Sequence, residues 1–155
     1  MSEKIKLTID GKVVEAVAGS SLIQVAMDNG TMVPHFCYHP GIGIEGSCRL
    51  CMVNIEGMPK LVTSCNTPVK EGMVVHTQSD QAKQARKSVL EFYLLNHPLD
   101  CPFCDKGGEC PLQNFTLDSG QFTTRFAFQK IHKAKHEVIG EHIILDKERC
   151  VLCDR

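Results

Sequence analysis

Nine cysteines in a chain of 155 residues fall into three groups whose spacing is typical of metal ligands. The first group has four cysteines, the second has three that follow a histidine, and the third is a pair. In chain order the candidate ligands are Cys37, Cys48, Cys51 and Cys65; His97, Cys101, Cys104 and Cys110; and Cys150 and Cys153. Thiolates are soft, anionic ligands, and four around one site suit iron–sulfur clusters or zinc. Because no cysteine is left over as a lone nucleophile, the leading hypothesis is a cluster-carrying redox protein.

The first group is spaced Cys-x10-Cys-x2-Cys-x13-Cys and encloses a glycine-rich stretch at 41–46. Glycine allows a loop to wrap closely around a cluster and to aim N–H groups at its sulfurs. Structural zinc sites usually use two tight Cys-x2–4-Cys pairs, whereas this group has one tight pair and two distant ligands. The spacing therefore favours an iron–sulfur cluster over zinc. The same glycines spell G-x-G-x-x-G, but nicotinamide binding would require a preceding strand and a following helix.

The second group is spaced His-x3-Cys-x2-Cys-x5-Cys, and its chemistry is ambiguous from these residues alone. Three cysteines and one histidine can hold structural zinc, or they can hold an iron–sulfur cluster. His97 precedes Pro98 and stands where a helix is expected to end. As a cluster ligand, a neutral imidazole would replace an anionic thiolate, which should raise the reduction potential. The glycines Gly107 and Gly108 are expected to let this loop close.

The third group, Cys150 and Cys153, has the spacing of the first two ligands of a four-cysteine cluster. A thioredoxin-like site would require a βαβ context, and haem attachment would require a histidine at position 154. We therefore expect half of a further four-cysteine cluster site, whose remaining ligands lie beyond residue 155 in a longer protein.

The elements that must position these ligands follow from the pattern of apolar residues. Alternation predicts strands at 4–9 and 12–17 joined by the hairpin turn Asp10-Gly11. A short helix should follow, capped by Ser20 or Ser21 and ended by Gly30. Further short strands at 51–56, 60–65 and 73–76 would complete a mixed sheet packed on that helix, as in a β-grasp arrangement.

A helical period replaces the alternation after residue 76. Apolar residues recur every three to four positions from 80 to 95, and Pro98 should end this helix near Asn96. Strands are expected at 122–128 and 142–145.

Composition excludes several classes of function. The formal charge of −1 comes with no basic patch, so we expect no nucleic-acid partner. No stretch of 18 apolar residues is present, and the first residues lack the apolar core of a signal peptide. We expect a cytosolic chain, where thiols stay reduced and patterned cysteines more often bind metal than pair as disulfides.

The two complete ligand patterns, in this order, resemble a known family. The first group within a β-grasp pattern, and the string from His97 to Gln113, are similar to the N-terminal part of the large iron–sulfur subunit of NADH–quinone oxidoreductase, which is respiratory complex I. Relatives of that subunit include the diaphorase subunits of NAD-reducing hydrogenases and some formate dehydrogenases.

The resemblance implies an α+β chain of three parts. These would be a β-grasp 2Fe–2S ferredoxin-like domain at 1–78, a helical His(Cys)3 4Fe–4S module at 79–118, and a linker with the start of a further ferredoxin-like 4Fe–4S region at 119–155. The implied cofactors are one [2Fe–2S] cluster on the first group, one [4Fe–4S] cluster on the second, and a partial further [4Fe–4S] site on the third.

The implied function is electron relay in a multi-subunit NADH:quinone oxidoreductase, a translocase. Single electrons would pass from NADH and flavin toward quinone, with no substrate catalysis in this segment. Partners would be the flavin-bearing, NADH-oxidising subunit and other iron–sulfur subunits. The chain would be peripheral on the inner face of the cell membrane and attached only through partner subunits. The alternatives are a relay in an NAD-linked hydrogenase or formate dehydrogenase, and a zinc-binding structural or interaction module.

Overall fold

The structure is a computed structural model that describes residues 3–154. The chain divides into two compact units, one formed mainly by residues up to Arg86 and the other by Lys87–Cys153. This division lies between Arg86 and Lys87, whereas the sequence predicted a domain boundary between residues 78 and 79.

The first unit is built on a five-stranded mixed sheet and one short helix. Its elements are β1 (Lys4–Ile9), β2 (Lys12–Val17), α1 (Leu22–Asp28), β3 (Tyr38–His39), β4 (Gly43–Ile44), β5 (Met52–Ile55), β6 (Val62–Thr63), a 3-10 turn (Ser64–Asn66), β7 (Val74–His76) and the start of α2 (Asp80–Asn96). The strand order is β2-β1-β7-β5-β6. The pair β1–β7 is parallel, and the other three pairs are antiparallel.

The predicted hairpin is present, and its turn explains its geometry. Asp10 and Gly11 both have positive φ, at 46° and 81°, as a two-residue type I′ turn requires. The register places Ile9 opposite Lys12 and continues through to Lys4 opposite Val17. The alternation of β1 therefore directs Ile5, Leu7 and Ile9 into the core.

Helix α1 covers the sheet with four buried side chains, Leu22, Ile23, Val25 and Ala26. They pack in one cluster with sheet residues that include Val53 and Val75. Gly30 follows the helix with a φ of +77°, as its predicted role requires. The predicted serine cap is wrong in one respect: Ser21 occupies the N-cap position, but its side chain makes no capping hydrogen bond. The hydroxyl is used elsewhere, as described below.

The second unit contains the rest of α2, a 3-10 turn (Cys101–Phe103), α3 (Pro111–Asp118) and the short strands β8 (Glu137–Val138) and β9 (Ile144–Leu145). Helix α2 ends at Asn96, two residues before Pro98, as predicted. The strand predicted at 122–128 is wrong. Phe122 and Phe128 are 74% and 56% exposed, so the stretch has no buried face to hold a strand in a sheet. Within the described residues, no helix combines the length and apolar character needed to cross a membrane.

Candidate metal centres

All four cysteines of the first predicted ligand set are buried in the first unit. Cys37, Cys48, Cys51 and Cys65 have relative exposures of 1–3%. Cys37 directly precedes β3, Cys48 and Cys51 lie in the loop before β5, and Cys65 lies in the 3-10 turn after β6. Burial of four thiols in one small unit is consistent with a site shielded from water.

Backbone N–H groups are directed at the sulfur atoms of this set. The N–H of Cys48 donates to Sγ of Cys37 at 3.3 Å, and the N–H of Phe36 donates to Sγ of Cys48 at 3.5 Å. The loop reaches this shape through positive φ angles at Gly43 and Gly46, and also at Arg49. Such donors stabilise negative charge on sulfur, which is what thiolate ligands of a reducible cluster require.

The thiols interact as two pairs. The side-chain hydrogen bond from Cys65 lowers the pKa of Cys51 to about 6, and the same bond, with burial, raises the pKa of Cys65. Although burial raises it, hydrogen bonds from Cys48 and Ser47 lower the pKa of Cys37. The charges of Cys37 and Cys48 also raise the pKa of Cys65, so the two pairs lie close enough to interact electrostatically. Two close pairs match a two-iron core with two thiolates on each iron.

Two serines hold the backbone of the ligands in place. The hydroxyl of Ser64, which is fully buried, donates to the carbonyl oxygen of Cys51 at 3.0 Å, and its N–H donates to the same oxygen at 2.9 Å. The hydroxyl of Ser21 donates to the carbonyl oxygen of Cys65 at 3.0 Å. Sequence analysis missed both contacts. The only available signal was that Ser64 adjoins a predicted ligand.

The four residues of the second predicted set line a single cavity of about 680 Å³ within the second unit. His97 directly follows α2, and Cys101 begins the 3-10 turn. Cys110 is the N-cap residue of α3, and Pro111 occupies the first helical turn. The structure therefore gathers residues from two helix ends and a turn around one space, as a ligand set requires.

A close backbone approach explains one of the two glycines in this loop. A Cβ atom at Gly107 would lie 2.7 Å from the carbonyl oxygen of Cys101 and 3.1 Å from that of Cys104. The N–H of Gly107 donates to the carbonyl oxygen of Cys104 at 2.8 Å. Gly108 instead has a φ of +89° with open space around it. The loop can fold back between Cys101 and Cys110 only because position 107 has no side chain.

The electrostatics around His97 favour its neutral form. Burial and the charge of Lys130 lower the pKa of His97. Neutral imidazole is the form that binds metals through a ring nitrogen. The neighbouring Asp100 forms ion pairs with Lys135 and with Arg149, and hydrogen bonds from these cations lower its pKa.

The third predicted pair is placed differently. Cys150 is exposed and Cys153 is partly exposed, and neither lines the cavity of the second set. The N–H of Leu152 donates to Sγ of Cys150 at 3.4 Å, which is a contact within the segment of the pair. The structure therefore does not bring Cys150 and Cys153 together with the other predicted ligands.

One alternative from the sequence finds little support in this geometry. The glycine stretch at 41–46 is followed by no helix, so the helix N-terminus that holds a dinucleotide pyrophosphate is missing there.

Two family models match the chain in the order of the two ligand sets. Residues 2–80 match the 2Fe-2S iron-sulfur cluster binding domain, and residues 86–125 match the NADH-ubiquinone oxidoreductase-G iron-sulfur binding region. The predicted cofactors, one [2Fe–2S] and one [4Fe–4S] cluster, are confirmed by these matches, while the further partial site stays a prediction.

Relatives agree with these matches. The chain is 46% identical over 151 residues to the NADH-quinone oxidoreductase G subunit of Rickettsia felis, covering 97% of this chain and 22% of the relative. It is 44% identical over 162 residues to the mitochondrial NADH-ubiquinone oxidoreductase 78 kDa subunit of Candida albicans, covering 98% of this chain and 21% of that subunit. The chain thus spans about a fifth of the length of these curated relatives.

A crystal structure of NAD+-reducing [NiFe]-hydrogenase in the H2-reduced state contains a chain of similar fold. The TM-score is 0.84 at 30% sequence identity, over 96% of this chain and 62% of that one. The resemblance predicted from the two ligand motifs is confirmed. Because the first family model covers residues 2–80 of 155, the chain belongs to the family of 2Fe-2S iron–sulfur cluster binding domains.

Proposed function

We propose that this chain is an electron-relay segment of an NADH–quinone oxidoreductase and passes single electrons from NADH and flavin toward quinone. The observation that carries the proposal is the presence of two separate ligand sets in one chain. One set consists of four buried cysteines, and the other is a histidine and three cysteines around one cavity. They follow in the order in which the two family models match.

The proposed ligands are those expected from the sequence. Cys37, Cys48, Cys51 and Cys65 would hold the [2Fe–2S] cluster, and His97, Cys101, Cys104 and Cys110 would hold the [4Fe–4S] cluster. When bound, such clusters accept and release one electron at a time, whereas taking a hydride from NADH requires a two-electron cofactor such as a flavin. Cys150 and Cys153 stay the predicted first half of a further site.

The residues around each ligand set would influence the reduction potential of the cluster that the set holds. In the first unit, the N–H groups of Phe36 and Cys48 face sulfur, and the burial of all four cysteines limits the access of water. In the second unit, the neutral form of His97 gives the site one anionic ligand fewer than a four-cysteine site has. Both features affect the stability of the reduced state, and hence the potential.

The module arrangement belongs to the same proposal. A hairpin, a helix and a parallel pairing of β1 with β7 support a β-grasp domain over 1–78. The cavity lined by His97 and three cysteines supports a helical 4Fe–4S module over 79–118. The segment 119–155 would be a linker and the start of a further ferredoxin-like region.

The wider context of the proposal is the one that the sequence resemblance implied. Partners would be a flavin-bearing NADH-oxidising subunit and other iron–sulfur subunits. The chain would lie at the inner face of the membrane and be attached through those partners. A second candidate, a relay in a NAD-linked hydrogenase, is supported by the fold match of TM-score 0.84. The higher sequence identity, 46%, favours the quinone-linked complex.

The test is to purify the full chain without oxygen and to measure iron, acid-labile sulfide and zinc. We expect about six irons and about six sulfides per chain, the sum of the two cluster types. On reduction, two distinct electron paramagnetic resonance signals should appear. Zinc without sulfide, or a colourless protein with no such signals, would overturn the proposal.

A further inference from the structure

Four charged side chains line the cavity of the second ligand set: Glu91, Asp100, Lys130 and Arg149. Three of them have partners of opposite charge. Glu91 pairs with Arg125 at 2.7 Å, Asp100 pairs with Lys135 and with Arg149, and Arg149 also pairs with Asp146 at 3.1 Å. The charges of these three side chains are therefore largely balanced by their neighbours.

Lys130 is different, because no carboxylate lies within 4.0 Å of its ammonium group among residues 3–154. Its Nζ instead donates to the carbonyl oxygens of Leu94 and Leu95, at 2.6 and 3.2 Å. These carbonyls belong to the last turn of α2. The last carbonyl groups of a helix have no hydrogen-bond partner within the helix, and they carry partial negative charge. The ammonium group is thus held beside the cavity by carbonyl oxygens and not by a carboxylate.

Lys130 also lies close to the predicted ligand that follows the helix, because it contacts the carbonyl oxygen of Leu95, two residues before His97, and lines the same cavity as His97. The position of Lys130 does not depend on its ammonium group alone. The N–H of the next residue, Ile131, donates to Oδ1 of Asn96 at 3.0 Å and anchors the same segment to the helix end. Replacing the side chain at 130 should therefore change the local charge more than the local fold.

We propose that Lys130 is an electrostatic residue of the second centre, whose positive charge, not paired with a carboxylate among residues 3–154, raises the reduction potential of the [4Fe–4S] cluster. The proposal rests on the proposed function. A cluster that gains an electron becomes more negative, so a fixed cation beside it stabilises the reduced state more than the oxidised state. The effect adds to that of the neutral ligand His97.

The test compares three variants of the full chain, Lys130→Gln, Lys130→Arg and Lys133→Gln. Gln removes the charge but keeps an N–H donor, and Arg keeps both. Lys133 is an exposed lysine in the same segment that does not line the cavity, so Lys133→Gln is the matched control. The readouts are iron and sulfide content and a redox titration of the [4Fe–4S] signal, with the [2Fe–2S] signal of the same sample as the internal reference.

Lys130→Gln should reduce the equilibrium constant for reduction of the [4Fe–4S] cluster about tenfold, which corresponds to about 59 mV for one electron. Lys130→Arg and Lys133→Gln should change it by less than about twofold. Loss of the cluster in Lys130→Gln but not in Lys130→Arg would also support a role for the charge.

An unchanged potential in Lys130→Gln, an equal shift in Lys133→Gln, or loss of the cluster in Lys130→Arg would overturn the inference. Failure of the proposed function would look different. In that case the unsubstituted chain would itself lack sulfide and both signals, and the inference about Lys130 would fall with it.

Discussion

The hydroxyl of Ser21 donates a hydrogen bond to the carbonyl oxygen of Cys65 at 3.0 Å. This contact joins the N-cap residue of α1 to the last predicted ligand of the first set, although the two residues are far apart in sequence. The N–H of Leu22 donates to the carbonyl oxygen of Thr67 at 2.9 Å and strengthens the same connection. The start of α1 therefore fixes the turn that presents Cys65.

We expect Ser21→Ala to destabilise the first unit by about 1 kcal/mol, since one partly buried hydrogen bond is lost. The [2Fe–2S] cluster should also be lost faster on exposure to a chelator, while the second cluster is unaffected. The measurements are thermal unfolding and the decay of the visible absorbance. Ser20→Ala is the matched control, because no hydrogen bond of its hydroxyl is present in the part of the chain that the structure describes, and equal effects in both variants would contradict this role of Ser21.

Cys48→Ala should abolish the [2Fe–2S] cluster and destabilise much of residues 1–78. Sγ of Cys48 accepts the N–H of Phe36, and the N–H of Cys48 donates to Cys37, so the residue links two parts of the loop. A small unit with a thin core also gains much of its stability from a bound metal centre. Iron analysis and thermal melting check this expectation, and normal iron content with unchanged melting would disprove it.

His97→Cys should keep a [4Fe–4S] cluster but lower its reduction potential. The substitution replaces a neutral ligand by an anionic thiolate, which makes the addition of an electron less favourable. A redox titration followed by electron paramagnetic resonance measures the shift. A potential that is unchanged or higher would show that His97 is not a ligand.

Gly107→Ala should impair the second site selectively. The added methyl group would lie 2.7 Å from the carbonyl oxygen of Cys101, so the loop must open, at a cost of about 1–3 kcal/mol. Gly108→Ala is the control, because it introduces only backbone strain of about 1–2 kcal/mol at a positive φ with open space around it. Iron content should fall further in Gly107→Ala, and the opposite order would argue against the steric explanation.

Asp10→Ala should destabilise the first unit by about 1–3 kcal/mol without removing a ligand. The carboxylate of Asp10 accepts the N–H and the hydroxyl of Thr77, at 2.7 and 2.5 Å, and its charge acts on the buried Arg86. Glu15→Ala is the matched control, since Glu15 pairs with Lys6 only on the surface. Chemical denaturation compares the two, and an equal loss of stability would contradict the role of Asp10.

Local patterns were enough to predict the hairpin, α1 and α2. Alternation in β1 and the Asp10-Gly11 turn act over a few residues, and the end of α2 before Pro98 is set by the proline itself. The two sets of candidate ligands could also be found in the sequence, because iron–sulfur clusters are held mainly by cysteine, and in some cases by histidine. The roles of these residues as ligands stay predictions.

Other features depend on contacts that no local pattern reveals. The ribbon of β3 with β4 has two residues in each strand, too few to show a period. The hydroxyls of Ser21 and Ser64 are directed at ligand carbonyls only after distant segments have met. Conversely, the strand expected at 122–128 is absent from the described residues.

The parallel pairing of Thr8 in β1 with Val74 in β7 has a consequence for biosynthesis. A polypeptide grows from its amino end, so β1 must wait for β7 to leave the ribosome before this pairing can form. By then Cys37, Cys48, Cys51 and Cys65, which all lie between the two strands, have already been synthesised. Closure of the sheet is therefore a late event, because all four cysteines are synthesised before the sheet of the unit that buries them can be completed.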